Sequence, residues 1–406
     1  MASARITRHY NGTDGAIQFA TPALRDAFET VVHGWPATDG AGPEGVFATV
    51  AQSVTGGWQI NGLRPEPFER AFTEVSGICD LIVELNWSRL RQQGALMCLH
   101  AAAVEMADGR LVIFPSGRRA GKSTLTAELA RRGHRVFSDD ILPVTLTAQG
   151  MITGLATGVA PRLRLPLPRG APWDFADWVA ADCGPADRQY KYLLSAPVAV
   201  YDAPARIAAI VTLNRGGTPG APSFAPMGPG EMLPILIHQN FGRFVHSGRA
   251  LAVFDALVRG VPCVQLNYDD LGAAADLIEA MASEGLLSGG ARADDAQDGV
   301  ARLDEAGGAT FVPHLAYGQR PGLTVTEIGG AAYVADASGI GIFELNAGLL
   351  PIWRLLEEPM CAVEVTAILS EVYGAGAPPT LAQDVTHAMA HLTAAELIAP
   401  VSERGG

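Results

Sequence analysis

The stretch that most restricts what this chain can fold into is VIFPSGRRAGKSTLTAELARRGHRVFSDDILPV, residues 112–144. An apolar run enters a Gly-Lys-Ser loop, an amphipathic segment follows, and two adjacent aspartates close the stretch. A turn of this kind between a strand and a helix points backbone N–H groups inward, and the helix N-terminus adds partial positive charge. The usual pattern is G-x-x-x-x-G-K-[ST]. Here Ser116 stands at the first glycine, and Gly117, Arg118, Arg119 and Ala120 fill the loop before Gly121, Lys122, Ser123 and Thr124. The context predicts a polyphosphate site over 116–124, with Lys122 bridging the β and γ phosphates and the Ser123 hydroxyl on Mg²⁺. The two loop arginines either clamp phosphate or mark an altered loop.

Lysine is scarce: of 29 basic residues only Lys122 and Lys191 are not arginine. Where arginine is the default, a retained lysine can mark a site that needs a compact ammonium. Lys122 has a motif around it and Lys191 does not. The net charge of −13 is uneven. Residues 96–286 hold 17 acidic and 17 basic side chains, whereas 307–406 hold 10 acidic and 3 basic. The neutral block carries the loop, and no segment is basic enough for nucleic acid. Five cysteines without CxxC spacing argue for reduced thiols and against zinc. No long apolar run offers a membrane span, and the N-terminus lacks a signal-peptide core, so the expected location is cytoplasmic.

At 406 residues the chain should hold two or three domains. Residues 1–95 read as an α+β accessory region without evident chemistry, a docking or self-association layer; homo-oligomerisation is one use for it. Residues 96–286 read as an α/β block, with a hairpin at Asp108-Gly109, a strand pair around the aspartates and a buried strand in RIAAIVTLNRG. Residues 151–190, rich in Pro, Trp and Arg, read as an irregular functional surface. Residues 287–306 read as a linker, and 307–400 as a small domain of strands followed by helices.

Asp139 and Asp140 supply what a bare phosphate loop lacks: one carboxylate to activate an attacking hydroxyl and one to help hold the cation. GKSTLTAELARRGHRVFSDD, with LHAAAV upstream, resembles the core of the HPr kinase/phosphorylase superfamily, and the resemblance spans about 96–286. It implies a mixed-sheet α/β kinase using ATP and Mg²⁺, with Asp139 as base, Asp140 and Ser123 at the metal, and His100 near the phosphates. The glycine-rich sequence that follows the catalytic strands in true HPr kinases is missing, LVRGVP standing in its place. This points to the HPr-kinase-related group found beside peptide-modifying enzymes. Arg162, Arg164, Lys191 and Arg215 are candidate phosphate or substrate contacts.

GIGIFELNAGLLPIWRLLEE, with the helical segments after it, resembles the PqqD family, small elements that recognise leader segments of ribosomally made, post-translationally modified peptides. Phe343, Leu345, Asn346 and Trp353 carry that resemblance. It implies a three-stranded sheet with a winged-helix-like bundle, whose unpaired edge can accept an extended leader as a further strand. Together the expectations describe a kinase that phosphorylates a Ser or Thr hydroxyl of a precursor peptide held by its leader. Two rivals stand beside it: a carrier-protein kinase/phosphorylase that ignores 307–406, and a nucleotide-gated module that delivers the precursor without phosphoryl transfer.

Overall fold

The computed structural model describes residues 5–54, 56–62, 70–94, 96–117, 119–168, 171–216, 220–241, 245–284, 311–336, 338–339 and 341–401. The linker expected at 287–306 and Arg118 lie outside the described residues. The protein is a mixed α/β chain of two compact units. One comprises Met1–Met227, Pro234–Val245 and Ala256–Asp294; the other comprises Gly228–Leu233, His246–Asp255 and Asp295–Gly406.

In the first unit the amino-terminal residues build a six-stranded sheet, in the order Ala37–Asp39, Ile6–Tyr10, Ala16–Phe19, Val46–Gln52, Trp58–Asn61, Arg70–Phe72. Helices Pro22–Val31 and Glu74–Gln92 are each entered through a threonine whose Oγ accepts a first-turn N–H, Thr21 from Leu24 and Thr73 from Ser76. Their Phe28, Ile78, Leu81 and Leu85 share a core with Ile17, Phe19, Val50 and Trp58, and that core runs on into Val159, Ala160 and Tyr192. The described residues among 1–95 are therefore packed as part of the same body as the phosphate loop.

The second sheet of this unit has nine strands. His100 interrupts what reads in the sequence as one apolar run. Met97–Leu99 pairs with Leu142–Leu146, while Ala102–Glu105 pairs with Leu111–Phe114 across the expected Asp108-Gly109 turn. Asp108 accepts the Arg110 N–H there at 2.9 Å. The strand Pro204–Arg215 is buried without a break from Ile207 to Leu213, as a strand covered on both faces must be. It pairs antiparallel with Ile152–Leu155, then parallel with Leu111–Phe114 and with Cys263–Tyr268, which curls the sheet. Three parallel strands thus end near Phe114, Arg215 and Tyr268, and open α/β sheets hold ligands at such carboxyl ends.

Helix Lys122–Arg131 follows the loop and buries Leu125 and Leu129. Its Glu128, fully buried, is held by Arg131 and Arg132 at 2.8 Å. Arg132 also reaches Asp276 and Glu279, and His134 Nε2 meets Glu279 at 2.8 Å, so the Arg-Arg-Gly-His stretch ties this helix to Leu271–Ser283. Residues 151–190 are more regular than expected, with strands Ile152–Leu155, Arg162–Arg164 and Tyr190–Tyr192 and helix Trp173–Ala181. Pro172 precedes that helix, where a missing N–H is no loss. Among the described residues no helix is long and apolar enough to cross a membrane.

The second unit contains an antiparallel sheet ordered Thr324–Ile328, Ala331–Ala335, Ile342–Leu345 and helices Leu349–Leu355, Ala362–Tyr373 and Leu381–Ala394. The ribbon Tyr317–Gln319 with Ile398–Pro400 joins the two ends of this region. Its core gathers Val334, Leu345, Trp353, Val365, Val385 and Met389.

Candidate functional site

The loop after Leu111–Phe114 turns sharply at Gly121, which has φ +103° and N-caps helix Lys122–Arg131. A Cβ at this position would run into the Tyr268 hydroxyl as well as strain the backbone. Ser116, the departure from the usual glycine, has its own use: its Oγ accepts the Leu213 N–H at 2.9 Å and moors the loop to the central strand. Lys122 is buried and its ammonium donates to the Ser116 carbonyl, folding the side chain across the loop. Arg119 occupies the left-handed region at φ +69°, a conformation that costs a non-glycine residue about 1 kcal/mol or more.

A cavity of about 590 Å³ opens above this loop. Gly117, Arg119, Ala120, Gly121, Lys122, Ser123 and Thr124 form one side; His100, Asp140, Arg162, Arg164 and Arg215 face them from other elements. His100, at the break between two strands, is fixed through its N–H to the Gln239 carbonyl at 2.7 Å. Its Nε2 meets Asp140 Oδ1 at 2.5 Å. Burial works against the charge on Asp140. The hydrogen bond from His100 and the positive charges of Arg162 and Lys122 nevertheless hold its carboxyl below the usual range.

Asp139 has the opposite environment. Burial and the neighbouring Asp140 push its carboxyl up to about 6, while Arg162 pulls the other way. Its Oδ2 accepts the Arg162 main-chain N–H at 2.8 Å. Asp139 lines a second, smaller pocket of about 40 Å³, beside Cys79, Ile82, Val83, Asn86, Thr157, Val159 and Tyr192. Asp140 and Arg162 line both spaces, so the two adjoin. Helix Glu74–Gln92 supplies four of the small pocket's residues. Sequence reasoning missed this contribution, because apolar and amide residues on an amphipathic helix carry no chemical signature.

The ribbon Arg162–Arg164 with Tyr190–Tyr192 explains which basic residues converge. Arg162 and Arg164, two apart, both lie over the Tyr190 ring and face the cavity. Leu163 pairs with Lys191 between them, and alternation sends both to the other face. Leu163 is in the core, and the Lys191 ammonium donates to the Val179 carbonyl at 2.7 Å and the Asp182 carbonyl at 2.5 Å, closing the end of helix Trp173–Ala181. Lys191 does not line the cavity. Arg215, at the end of the long strand, does.

The four marker residues of the second unit serve mainly its architecture. Leu345 and Trp353 are buried in the core and Phe343 packs against it. Asn346 Oδ1 accepts the N–H groups of Gly348 and Leu349 at 3.1 Å, which starts helix Leu349–Leu355. Among the described residues the two outer strands of the sheet each pair only with Ala331–Ala335, leaving edges to which an extended chain can add.

The large cavity suits a magnesium–nucleotide. Its volume is within the roughly 300–1,000 Å³ of small-molecule sites, and backbone N–H groups, one ammonium and four guanidinium-bearing residues line it. Asp140 is the one carboxylate in its lining, with the Ser123 hydroxyl among the neutral oxygens, as befits Mg²⁺, which is held through one or two carboxylates and takes its remaining ligands from phosphate and water.

No protein-family model matches the chain, and no curated protein does. Solved structures are similar to parts of it, among them the following two. The structure "TbiB1 in Complex with the TbiA(beta) Leader Peptide" aligns over 21% of this chain and 99% of that one, at 21% identity and a TM-score of 0.19. The Hpr(Ser) kinase/phosphatase from Coxiella burnetii aligns over 47% of this chain and 97% of that one, at 14% identity and a TM-score of 0.24.

Proposed function

We propose that this protein is an ATP-dependent kinase that phosphorylates a Ser or Thr hydroxyl of a ribosomally made precursor peptide, whose leader is held by residues 307–400. The observation that carries the reading is the single cavity lined by Lys122, Ser123, the loop amides, the His100–Asp140 pair and Arg162, Arg164 and Arg215. Such convergence of cationic donors around a helix N-terminus suits the spreading negative charge of phosphoryl transfer. Magnesium, held by Ser123 and Asp140, would supply neutralisation of the phosphate oxygens. Asp139, with its carboxyl near 6, is poised to take the proton of the attacking hydroxyl at neutral pH. As the acceptor oxygen bonds to the terminal phosphorus and the bond to ADP breaks, Lys122 and the arginines hold the departing charge. His100 keeps Asp140 oriented. The open edges of the C-terminal sheet supply the leader site, and a tethered leader raises the local concentration of the core segment.

The test is to incubate the full chain with Mg·ATP and a short leader–core precursor peptide, sought among the reading frames beside its gene. The expected result is a mass gain of one phosphate, lost in Lys122→Ala and at least a hundredfold slower in Asp139→Asn. A leaderless peptide should raise KM at least tenfold with little change in kcat. Nucleotide binding without any transfer would instead support the delivery reading.

A further inference from the structure

The large cavity leaves the smaller pocket beside it unexplained. This pocket is walled by Ile82 and Val83 of helix Glu74–Gln92 and by Val159, and it is polar at Asp139, Asn86, Cys79 and Thr157. Cys79 receives a hydrogen bond from the Arg162 guanidinium, and burial keeps its thiol up and uncharged. Asn86 is only 2% exposed; its Nδ2 donates to the Ile82 carbonyl at 2.9 Å, but among the described residues its Oδ1 has no donor. A buried amide oxygen without a partner is costly, by about 1–3 kcal/mol, and it marks a place completed by a ligand bearing a hydrogen-bond donor.

We infer that this pocket receives the acceptor side chain and restricts it to small aliphatic alcohols, so that the amino-terminal layer reads the acceptor. The inference rests on the kinase reading above and deepens it. Size argues first. A water needs roughly 10–15 Å³ of such space, so about 40 Å³ admits the few heavy atoms of a serine or threonine side chain and excludes a phenol. Chemistry argues second. The apolar wall suits a methylene or methyl group, and Asp139 lies at the boundary where Asp140 and Arg162 face both spaces. A hydroxyl placed there has one proton to donate: on binding it is given to Asn86 Oδ1, and it turns to Asp139 as the oxygen attacks into the phosphate cavity. Asn86 is then a specificity residue that favours a donor-bearing side chain over an apolar one.

Small acceptors test this without a leader. The full-length protein is given Mg·ATP and N-acetyl-serinamide, N-acetyl-threoninamide or N-acetyl-tyrosinamide at tens of millimolar, and phosphorylated amide is measured by mass. Mg·ATP affinity is measured separately by calorimetry. Transfer to the serine and threonine amides is expected, with the tyrosine amide at least tenfold slower. Val83→Trp, which fills the pocket from a half-buried position, and Asn86→Leu should each lose tenfold or more of the transfer, with Mg·ATP affinity within twofold of wild type. Equal use of the tyrosine amide, or undiminished transfer by both variants, overturns the inference and leaves the kinase standing. Absence of transfer to all three by the wild type overturns the inference, and the kinase reading is then judged separately, by transfer to the leader–core peptide.

Discussion

The phosphate-loop cavity and the C-terminal unit put their distinctive residues to opposite uses. Around the loop, Lys122, Ser123, Asp140 and Arg162 all face the cavity. In the C-terminal unit, Leu345 and Trp353 face inward and Asn346 shapes a turn. On the proposed function, the difference lies in what each site would do to its ligand. Phosphate is held by particular charged groups, so the recognisable side chains are the working ones. A peptide strand added to a sheet edge is held mainly by main-chain groups, so the recognisable side chains are those that keep the edge in shape.

This contrast can be broken by experiment, and the largest effect is expected in the C-terminal unit. Trp353→Ala should cost about 3–5 kcal/mol, the usual loss for emptying a buried aromatic site. Urea denaturation followed by circular dichroism would measure it, and a loss below about 1 kcal/mol would mean that Trp353 is not a core anchor. Next is Asp139→Asn. The Asp139 carboxyl, raised from 3.8 to about 6, binds its proton more tightly in the folded state. The stability gained is complete below pH 3.8 and disappears as pH rises through about 6. Asparagine, which carries no charge and can accept the same Arg162 N–H, should therefore stabilise the protein at pH 7–8, by at most about 3 kcal/mol at 1.36 kcal/mol per pH unit. Thermal melts from pH 4 to 8 should show the two curves converging at the acid end. The smallest effect belongs to Lys191→Met, expected to cost about 1–2 kcal/mol through the two carbonyls it leaves without a donor, with Mg·ATP affinity unchanged. A tenfold loss of affinity would bring Lys191 back to the ligand.

Much of the loop was legible because its chemistry and its backbone need coincide: a lysine, a hydroxyl and a left-handed Gly121 in consecutive order. The aspartate pair was legible too, but not the divergence of its members. Asp139 and Asp140 differ because strand Arg162–Arg164 offers an N–H to one and His100 a ring to the other, across separations of 23 and 40 residues that no local pattern encodes. Lys191 was singled out by its rarity; rarity says nothing about which face of a ribbon a residue occupies. The amino-terminal layer was the least legible part. Its helix Glu74–Gln92 reads as ordinary amphipathic packing, and only the fold brings Cys79 and Asn86 beside Asp139.

The strand Pro204–Arg215 has a mechanical consequence. It meets three neighbours in succession, with Ala205 opposite Gly154, Ile210 opposite both Ile113 and Cys263, and Arg215 opposite Tyr268. A slip of one residue would upset all three pairings together, so the strand behaves like a keyed shaft. An insertion or deletion within it would be felt at its far end as a misplaced guanidinium, and the loop would lose one of the three arginines that face it from other elements although no residue of the loop had changed.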